Sequence, residues 1–443
     1  MRVLVLAYFF PPLGGGGCQR TVKLVRYLEP LGWTASVITT SARDYWIHDP
    51  TLLDELPASA QILRVGGFTA IRALRMLERA GFGFEETQGS RRRGVFRALR
   101  ALQRWFLLPD GYGGWARAAR DAANRRIRSG GIDAIWTTSS PESAHLAGLS
   151  LKRRFGIPWV ADFRDPWVGR ATYRPPTRWH DRRHRAMEGE VVRSADRITV
   201  VSEPIAALYR ARYPELDPAR FVLLPNGFDP DDWRRAGEGG VSTQDVGRFV
   251  LLHAGQLAHR PTVRTLLHAA RRVLEDDPPA RRELRIRFMG GNEELGAAER
   301  GAMERGLALA DVVEIVPARP HIAALRSMRA ASALVLLGHG GPADSLLYTG
   351  KIYEYLTSGR PVLGIADEGP AASLIRETRA GPVLGSGDVD GVARSLKEWL
   401  RAWRGGADLT IRVPDAVSAP WERRLASARA ASILTEIASN RPR

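Results

Sequence analysis

The sequence predicts an α/β protein of two domains, each built on a parallel sheet with helices on both faces. Short, fully apolar runs bounded by turn residues read as buried parallel strands, and they alternate with stretches of helical period. The series runs twice along the chain and is interrupted once, by a polar Gly/Asp-rich stretch at residues 228–247. The chain is 443 residues long, enough for two cores at roughly 150 residues per domain.

The elements follow in order. Residues 2–8 (RVLVLAY) form the first strand, and a Pro/Gly loop leads to a helix beginning near Cys18, with Val22, Val25 and Leu28 on one face. Gly32 stops that helix, and residues 34–39 (TASVIT) give a second strand, completing a β–loop–α–β unit. Residues 133–138 (DAIWTT) are a strand, 143–155 a helix ended by Gly156, and 158–163 (PWVADF), 197–201 (RITVV) and 221–224 (FVLL) further strands. Pro225-Asn226-Gly227 is a strong turn signal. After the boundary come a strand at 249–254, a helix at 262–276, and strands at 285–289, 312–316, 333–337, 361–365 and 382–384, with a closing helix from about 421 to 439. The domains are therefore 1–227 and 248–420, joined by a linker over 228–247.

Composition narrows the function classes. With 44% hydrophobic and 26% charged residues the chain is globular. A single cysteine, Cys18, excludes a disulfide framework and a cysteine-built zinc site and points to a reducing compartment. No run approaches the ~18 apolar residues of a membrane span. The N-terminal run is followed by Pro11-Pro12 and four glycines instead of a cleavage site, so it reads as a strand and not a leader. The expected location is cytoplasmic. Net charge is +17, and residues 1–225 carry 35 basic and 21 acidic residues, leaving 30 and 27 for the remainder. That asymmetry fits an anionic partner for the first domain. Of 65 basic residues only Lys23, Lys152, Lys351 and Lys397 are lysines, so a GC-rich genome is the competing explanation.

Four segments carry candidate chemistry. Gly14-Gly15-Gly16-Gly17 lies between a strand and a helix, where backbone N–H groups approach an anion; a tight turn is the plainer reading. It matches neither the dinucleotide fingerprint nor a phosphate loop. Asp162-Phe163-Arg164-Asp165-Pro166-Trp167 follows a strand directly, at the end where open α/β sheets bind ligands, and Trp167 offers a platform; an internal loop-pinning salt bridge is the alternative. In the segment 252–260, a strand ends at Gly255 and Arg260, or Arg264 a turn later, is placed for a phosphate, while His259 reads as a surface histidine. The most specific segment is 348–363 (YTGKIYEYLTSGRPVL). Thr349-Gly350 opens a helix with Lys351 in its first turn, where a cation is unfavourable unless an anion binds, and Glu354 one turn on suits a vicinal diol such as a ribose. An exposed Lys/Glu pair is the bland reading.

These segments together resemble the group 1, or family 4, glycosyltransferases of the GT-B fold. The resemblance covers nearly the whole chain: the MRVLVLAYFFPPLGGG start, FGIPWVADFRDPW, ADRITVVSE, LPNGFD, LLHAGQL, FMGGNEE and GKIYEYLTSGRPVLG, of which the last is the most diagnostic. It implies two Rossmann-like domains facing across a cleft, the first binding acceptor and the second a nucleotide-diphosphate sugar, with the final helix crossing back to the first domain. It further implies retention of anomeric configuration and no metal or other cofactor. By position, Arg260 and Lys351 would serve the diphosphate, Glu354 the ribose, and the 316–319 loop with Ala318 the base. Gly255, Gly290, Thr349 and Gly350 would line the donor site, and Gly15 and Gly16 would border phosphates or acceptor. Two departures stand out. Leu346 occupies the place of the family's first glutamate, and Asp344 is the substitute proposed for the donor-sugar contact. Ser139-Ser140-Pro141-Glu142 occupies the place of a histidine some relatives carry, with His145 later; Asp165 and Arg164 are the substitute catalytic candidates, beside Arg260 and Lys351. Asp229-Pro230-Asp231 and Asp388-Val389-Asp390 have metal-like spacing and read as turn residues.

Residues 71–108 hold nine Arg and three Glu, with Val95, Leu99, Leu102 and Phe106 at helical spacing. An interfacial helix over 93–108, docking on an anionic membrane near a lipid-linked acceptor, is one reading; a helix packed on its own domain is the other. The functional expectation is transfer of a sugar to a lipid-linked or polysaccharide intermediate of the cell surface, at the inner face of the cell membrane. The rivals are a nucleotide-sugar epimerase on the same fold, an inactive glycosyltransferase-like scaffold, and a basic nucleic-acid-binding protein. The last lacks interleaved aromatic and basic residues, so no nucleic acid is expected.

Overall fold

The computed structural model describes residues 1–41, 47–69, 103–170, 173–238, 245, 247–255, 257, 261–290, 307–346 and 350–440. The chain divides into two compact units, Met1–Pro225 with Arg423–Arg443, and Asn226–Glu422.

The first unit holds a seven-stranded sheet. Its elements are β1 (Arg2–Leu6), α1 (Gly16–Leu28), β2 (Thr34–Thr40), β3 (Gln61–Val65), α2 (Gly113–Arg128), β4 (Ala134–Ser139), α3 (Ser143–Phe155), β5 (Trp159–Phe163), α4 (Arg178–Ser194), β6 (Arg197–Val200), α5 (Glu203–Arg212) and β7 (Phe221–Leu223). The strand order is β3-β2-β1-β4-β5-β6-β7, every pair parallel. Order reverses between β1 and β4, so the loops leaving these two strands diverge and open a crevice at the carboxyl edge. Strands β1, β4 and β5 are buried on both faces, which is why they read as unbroken apolar runs. Edge strand β3 is largely exposed and alternates weakly, which hid it from the sequence reading.

The second unit has α6 (Pro230–Gly237), β8 (Phe249–Ala254), α7 (Thr262–Asp276), β9 (Leu284–Met289), β10 (Val313–Val316), α8 (His321–Ala330), β11 (Ala333–Leu337), α9 (Lys351–Thr357), β12 (Val362–Ile365), α10 (Pro370–Glu377), β13 (Val383–Leu384) and α11 (Val389–Arg404). Its six parallel strands run β10-β9-β8-β11-β12-β13, reversing between β8 and β11. Phe249 and Leu251 face a core shared with α7 and α11, while Val250, Leu252 and Ala254 face a second core with α8 and α9.

The expected linker differs from what the structure shows. Residues 230–237, expected within a linker, form α6, whose N-terminus is capped by Asp229 accepting from Asp231 N at 3.0 Å. The last helix, α12 (Arg423–Ser439), belongs to the first unit and packs on α1. Trp33 Nε1 donates to Thr435 Oγ1 at 3.1 Å, and Ser427 Oγ donates to the Lys23 carbonyl at 3.4 Å. Among the described residues no helix is long and apolar enough to cross a membrane.

Candidate functional site

Each unit gathers its polar residues at its own strand-order reversal. In the first, α1 starts directly from the glycine loop. A Cβ on Gly17 would lie 2.5 Å from an Arg164 guanidinium nitrogen, and one on Gly14 would lie 2.8 Å from Ile47. Gly15 has φ +92°, whereas Gly16 faces open space. Three of the four glycines thus have steric reasons of their own, and the length of the run does not itself signal a ligand. Arg164 reaches back to this loop, with Nε donating to the Ser139 carbonyl at 2.5 Å, while Asp165 is exposed. Trp167 is no platform: it is buried, and its indole N–H donates to His184 Nδ1 at 3.0 Å.

The ion pair the sequence reading missed is Arg20–Asp162. Arg20 Nε and a terminal nitrogen donate to the two Asp162 oxygens at 2.9 and 2.7 Å. The same carboxylate accepts from Thr138 Oγ1 at 2.8 Å and Thr199 Oγ1 at 2.7 Å. Burial alone would raise the Asp162 carboxyl, but Arg20 and the two hydroxyls hold it below the usual range. This knot ties α1, β4, β5 and β6 together. Its signal was a charge inside an apolar strand, which requires a buried partner.

Next to it lies a carboxyl pair. Asp110 accepts from Tyr112 N at 2.9 Å and from Ser143 N, at the start of α3, at 2.8 Å. Burial, with the Glu142 carboxylate nearby, pushes Asp110 up to about 7, against the pull of those N–H groups. Burial works on Glu142 in the same direction, but its ion pair with Arg170 prevails and holds it below the ordinary range. His145 is buried, with Nδ1 2.7 Å from Thr137 Oγ1. Trp159 Nε1 also donates to that hydroxyl, at 2.9 Å. Burial depresses the His145 pKa to about 4.

In the second unit, the loop after β8 begins at Gly255, whose N–H donates to the Met289 carbonyl at 2.8 Å. A Cβ on Gly255 would lie 2.3 Å from Lys351 Nζ and 3.3 Å from His253 Nε2, at φ +156°. Only glycine therefore lets the ammonium rest against this backbone. His253 Nδ1 donates to the Val335 carbonyl at 3.0 Å, which turns Nε2 toward the same spot as an acceptor. Gly290 follows β9; a Cβ there would sit 3.7 Å from the Gly255 carbonyl oxygen and 3.8 Å from Ala318 Cβ. Gly255, Gly290, Ala318 and Lys351 are thus brought together. A Cβ added at Gly350 would lie 3.6 Å from Asn226 Cβ.

Glu354 is buried, with Oε1 3.8 Å from His321 Nε2, which is also 3.3 Å from Asp232 Oδ2. Helix α9 is held by Ala254 N donating to Tyr355 OH at 2.8 Å and by Trp233 Nε1 donating to Thr357 Oγ1 at 3.0 Å. It spans seven residues, so the cation at its start is accounted for by contact with Gly255 more than by an extended helix dipole.

Asp344, expected as the donor-sugar contact, is engaged by its own loop. Its buried carboxylate accepts from His339 N at 2.7 Å, Gly340 N at 3.2 Å and Asp367 N at 2.9 Å, closing the loop after β11. Arg260 and Thr349 lie outside the described residues. Asp388 caps α11 through Gly391 N at 2.8 Å, and no cluster of His, Cys, Asp and Glu suited to a metal occurs among the described residues.

Residues 14–232 match the sequence model of Glycosyltransferase Family 4. The match takes in just under half of the chain, most of it in the first unit. The chain is 26% identical over 287 residues to a D-inositol 3-phosphate glycosyltransferase of Nocardiopsis dassonvillei; the match takes in 62% of this chain and 65% of the relative, under two thirds of its length. Sucrose-phosphate synthase from Thermosynechococcus elongatus superposes with a TM-score of 0.62 at 15% identity, covering 99% of both chains. HepE of Anabaena, solved with UDP, gives 0.62 at 14% identity over 98% of this chain and 100% of that one. The chain has the GT-B fold, with two Rossmann-like α/β units.

Proposed function

We propose that the protein is a glycosyltransferase that moves a sugar from a nucleotide-diphosphate sugar to a hydroxyl acceptor. The observation that carries this reading is Lys351 Nζ laid against the Gly255 backbone at the strand-order reversal of the second unit, beside Gly290. Such a spot, lined by glycine backbone and a fixed cation, suits a diphosphate. In transfer the bond from the anomeric carbon to the diphosphate oxygen breaks, its electron pair stays on the diphosphate, a bond to the acceptor oxygen forms, and the acceptor's hydroxyl proton passes to the released diphosphate. Lys351, with Arg260, would stabilise that developing charge before it appears. Glu354 would take the ribose hydroxyls, and Ala318 would border the base. The UDP held by HepE supports a nucleoside diphosphate here. Retention and independence of metal are part of the proposal. So are an acceptor that is lipid-linked or a surface polysaccharide intermediate and a location on the inner face of the membrane.

The test is a thermal-shift and calorimetric screen of nucleoside diphosphates and their sugar conjugates, with Lys351→Ala and Glu354→Ala alongside. A ligand at about 100 times its Kd stabilises by roughly 2.7 kcal/mol. The expected result is a shift with one nucleotide that is lost in Lys351→Ala. No shift with any of them would sink the proposal. Conversion of the bound donor to a second sugar nucleotide, with no acceptor present, would replace it with an epimerase.

A further inference from the structure

We propose that the first unit docks on an anionic lipid bilayer through one preformed patch, made of Trp105, Phe106 and the outward face of α4. The inference stands apart from the donor-site reading. Large aromatic side chains are seldom left in water together. Here Trp105 is 50% exposed, Phe106 74% and Trp179 57%. Trp105 and Trp179 come from segments more than seventy positions apart, and one residue brings them together. The buried His180 ring meets the Trp105 indole edge-on at 5.2 Å and the Trp179 indole at 4.9 Å. His180 Nε2 is 3.1 Å from the Trp105 carbonyl oxygen, and its Nδ1 is 2.8 Å from Thr177 Oγ1, the N-cap of α4. The turn at 103–106 is thereby fixed to the start of α4, and the indoles are displayed on a rigid support, not on a loop.

Arginines predominate around the patch. Arg104, Arg178, Arg182 and Arg183 are all exposed. Trp179, Arg182, Arg183 and Ala186 fall on one helical face by their spacing, while His180, His184 and Glu188 turn inward. The nearest acid on the helix, Asp181, is already taken by Arg185 Nε at 2.8 Å and by the Tyr173 hydroxyl at 2.8 Å. Indoles set among arginines match the headgroup layer of a membrane, where an amphipathic ring and an attracted cation both gain. The sequence-based expectation placed docking on 93–108; of that segment 103–108 are described, and α4 supplies the half that sequence spacing did not reveal.

The experiment is vesicle co-sedimentation of the full chain with phosphatidylglycerol-rich and with pure phosphatidylcholine vesicles, at low and high salt. The wild type is expected to sediment with the anionic vesicles only, and to be released by salt. Arg182→Ser/Arg183→Ser and Trp105→Ala/Trp179→Ala should each weaken binding at least ten-fold, whereas Arg394→Ser in the second unit should not. The arginine pair leaves the aromatic packing intact, so its result holds even if the tryptophan pair folds poorly. Nucleotide thermal shifts should be unchanged in the arginine pair, which separates this proposal from the donor-site one. Absence of binding, equal binding to neutral vesicles, or binding indifferent to both variants overturns it. So does loss of a dimer in light scattering, or of single-stranded nucleic-acid binding, as the only consequence of the substitutions.

Discussion

The two strand-order reversals of this molecule are built from opposite materials. In the first unit, the crevice edge is occupied by side-chain charges that satisfy one another: Arg20 with Asp162, Arg170 with Glu142, and Asp110 on backbone N–H groups. In the second unit, the equivalent place is lined by glycine backbone at Gly255 and Gly290, with Lys351 drawn against it. A site whose charges are internally matched is rigid and costs much to break. The same topology therefore carries matched side-chain charges in one unit and a glycine-lined backbone beside Lys351 in the other.

The largest expected effect comes from breaking the internally matched site. Arg20→Ala leaves Asp162 charged and buried with only two hydroxyls, and removing one partner of a buried pair costs about 3–5 kcal/mol. Denaturant melts and hydrogen exchange should show the loss in β4, β5 and β6. Protection that falls equally in the second unit's sheet would contradict the local role assigned to the knot.

In the cradle the signature reverses, with binding lost and stability kept. Lys351→Ala should lower transfer by about 10²-fold or more, by analogy with removal of one preorganised donor. Gly255→Ala should copy it, because the new methyl displaces the ammonium. The double variant should then be little worse than either single one, since both remove the same contact. Additive losses in a calorimetric cycle would show that Gly255 and Lys351 act on different parts of the ligand.

How much of this was legible beforehand follows the same division. The apolar strands, the glycine turns and the 348–363 block announce themselves locally, so the second unit's cradle could be read from neighbouring residues. Helices α2 and α4 could not: both are Arg-rich, with Ala and His in place of the long aliphatic side chains that make a stripe visible. The Arg20–Asp162 pair spans 142 positions, and only the order of the sheet brings its members together. Arg164 and Asp165 drew attention because they adjoin in sequence, yet Arg164 turns to Gly17 and Ser139 while Asp165 faces solvent.

The carboxyl pair gives the comparison a pH axis. Asp110 is raised in the folded state to about 7, so the fold binds a proton there that the unfolded chain releases near the ordinary carboxyl value of 3.8. Its contribution to stability is whole below that value and is lost as pH rises through about 7. His145, depressed to about 4, acts oppositely: it loses stability as pH falls from 6.5 toward 4. The two oppose each other in the acid range, and Asp110 acts alone from about 6.5 to 7. Asp110→Asn should flatten the fall in stability across that upper interval, read as chemical melts at stepped pH. An unchanged slope would mean that Asp110 is ionised in the fold.

The smallest effect is expected at Asp344, and it separates two readings of the second unit. As a loop-closing acceptor of three N–H groups, its change to Asn swaps one oxygen for a donor facing backbone donors, at a cost of about 1–2 kcal/mol. Binding of the bare nucleoside diphosphate and of its sugar conjugate should then weaken together and slightly, because the loop loosens as a whole. A selective loss of the sugar conjugate, with the diphosphate unaffected, would instead put Asp344 on the sugar. That outcome would restore a direct role for a carboxylate that, as folded, directs both oxygens to its own backbone.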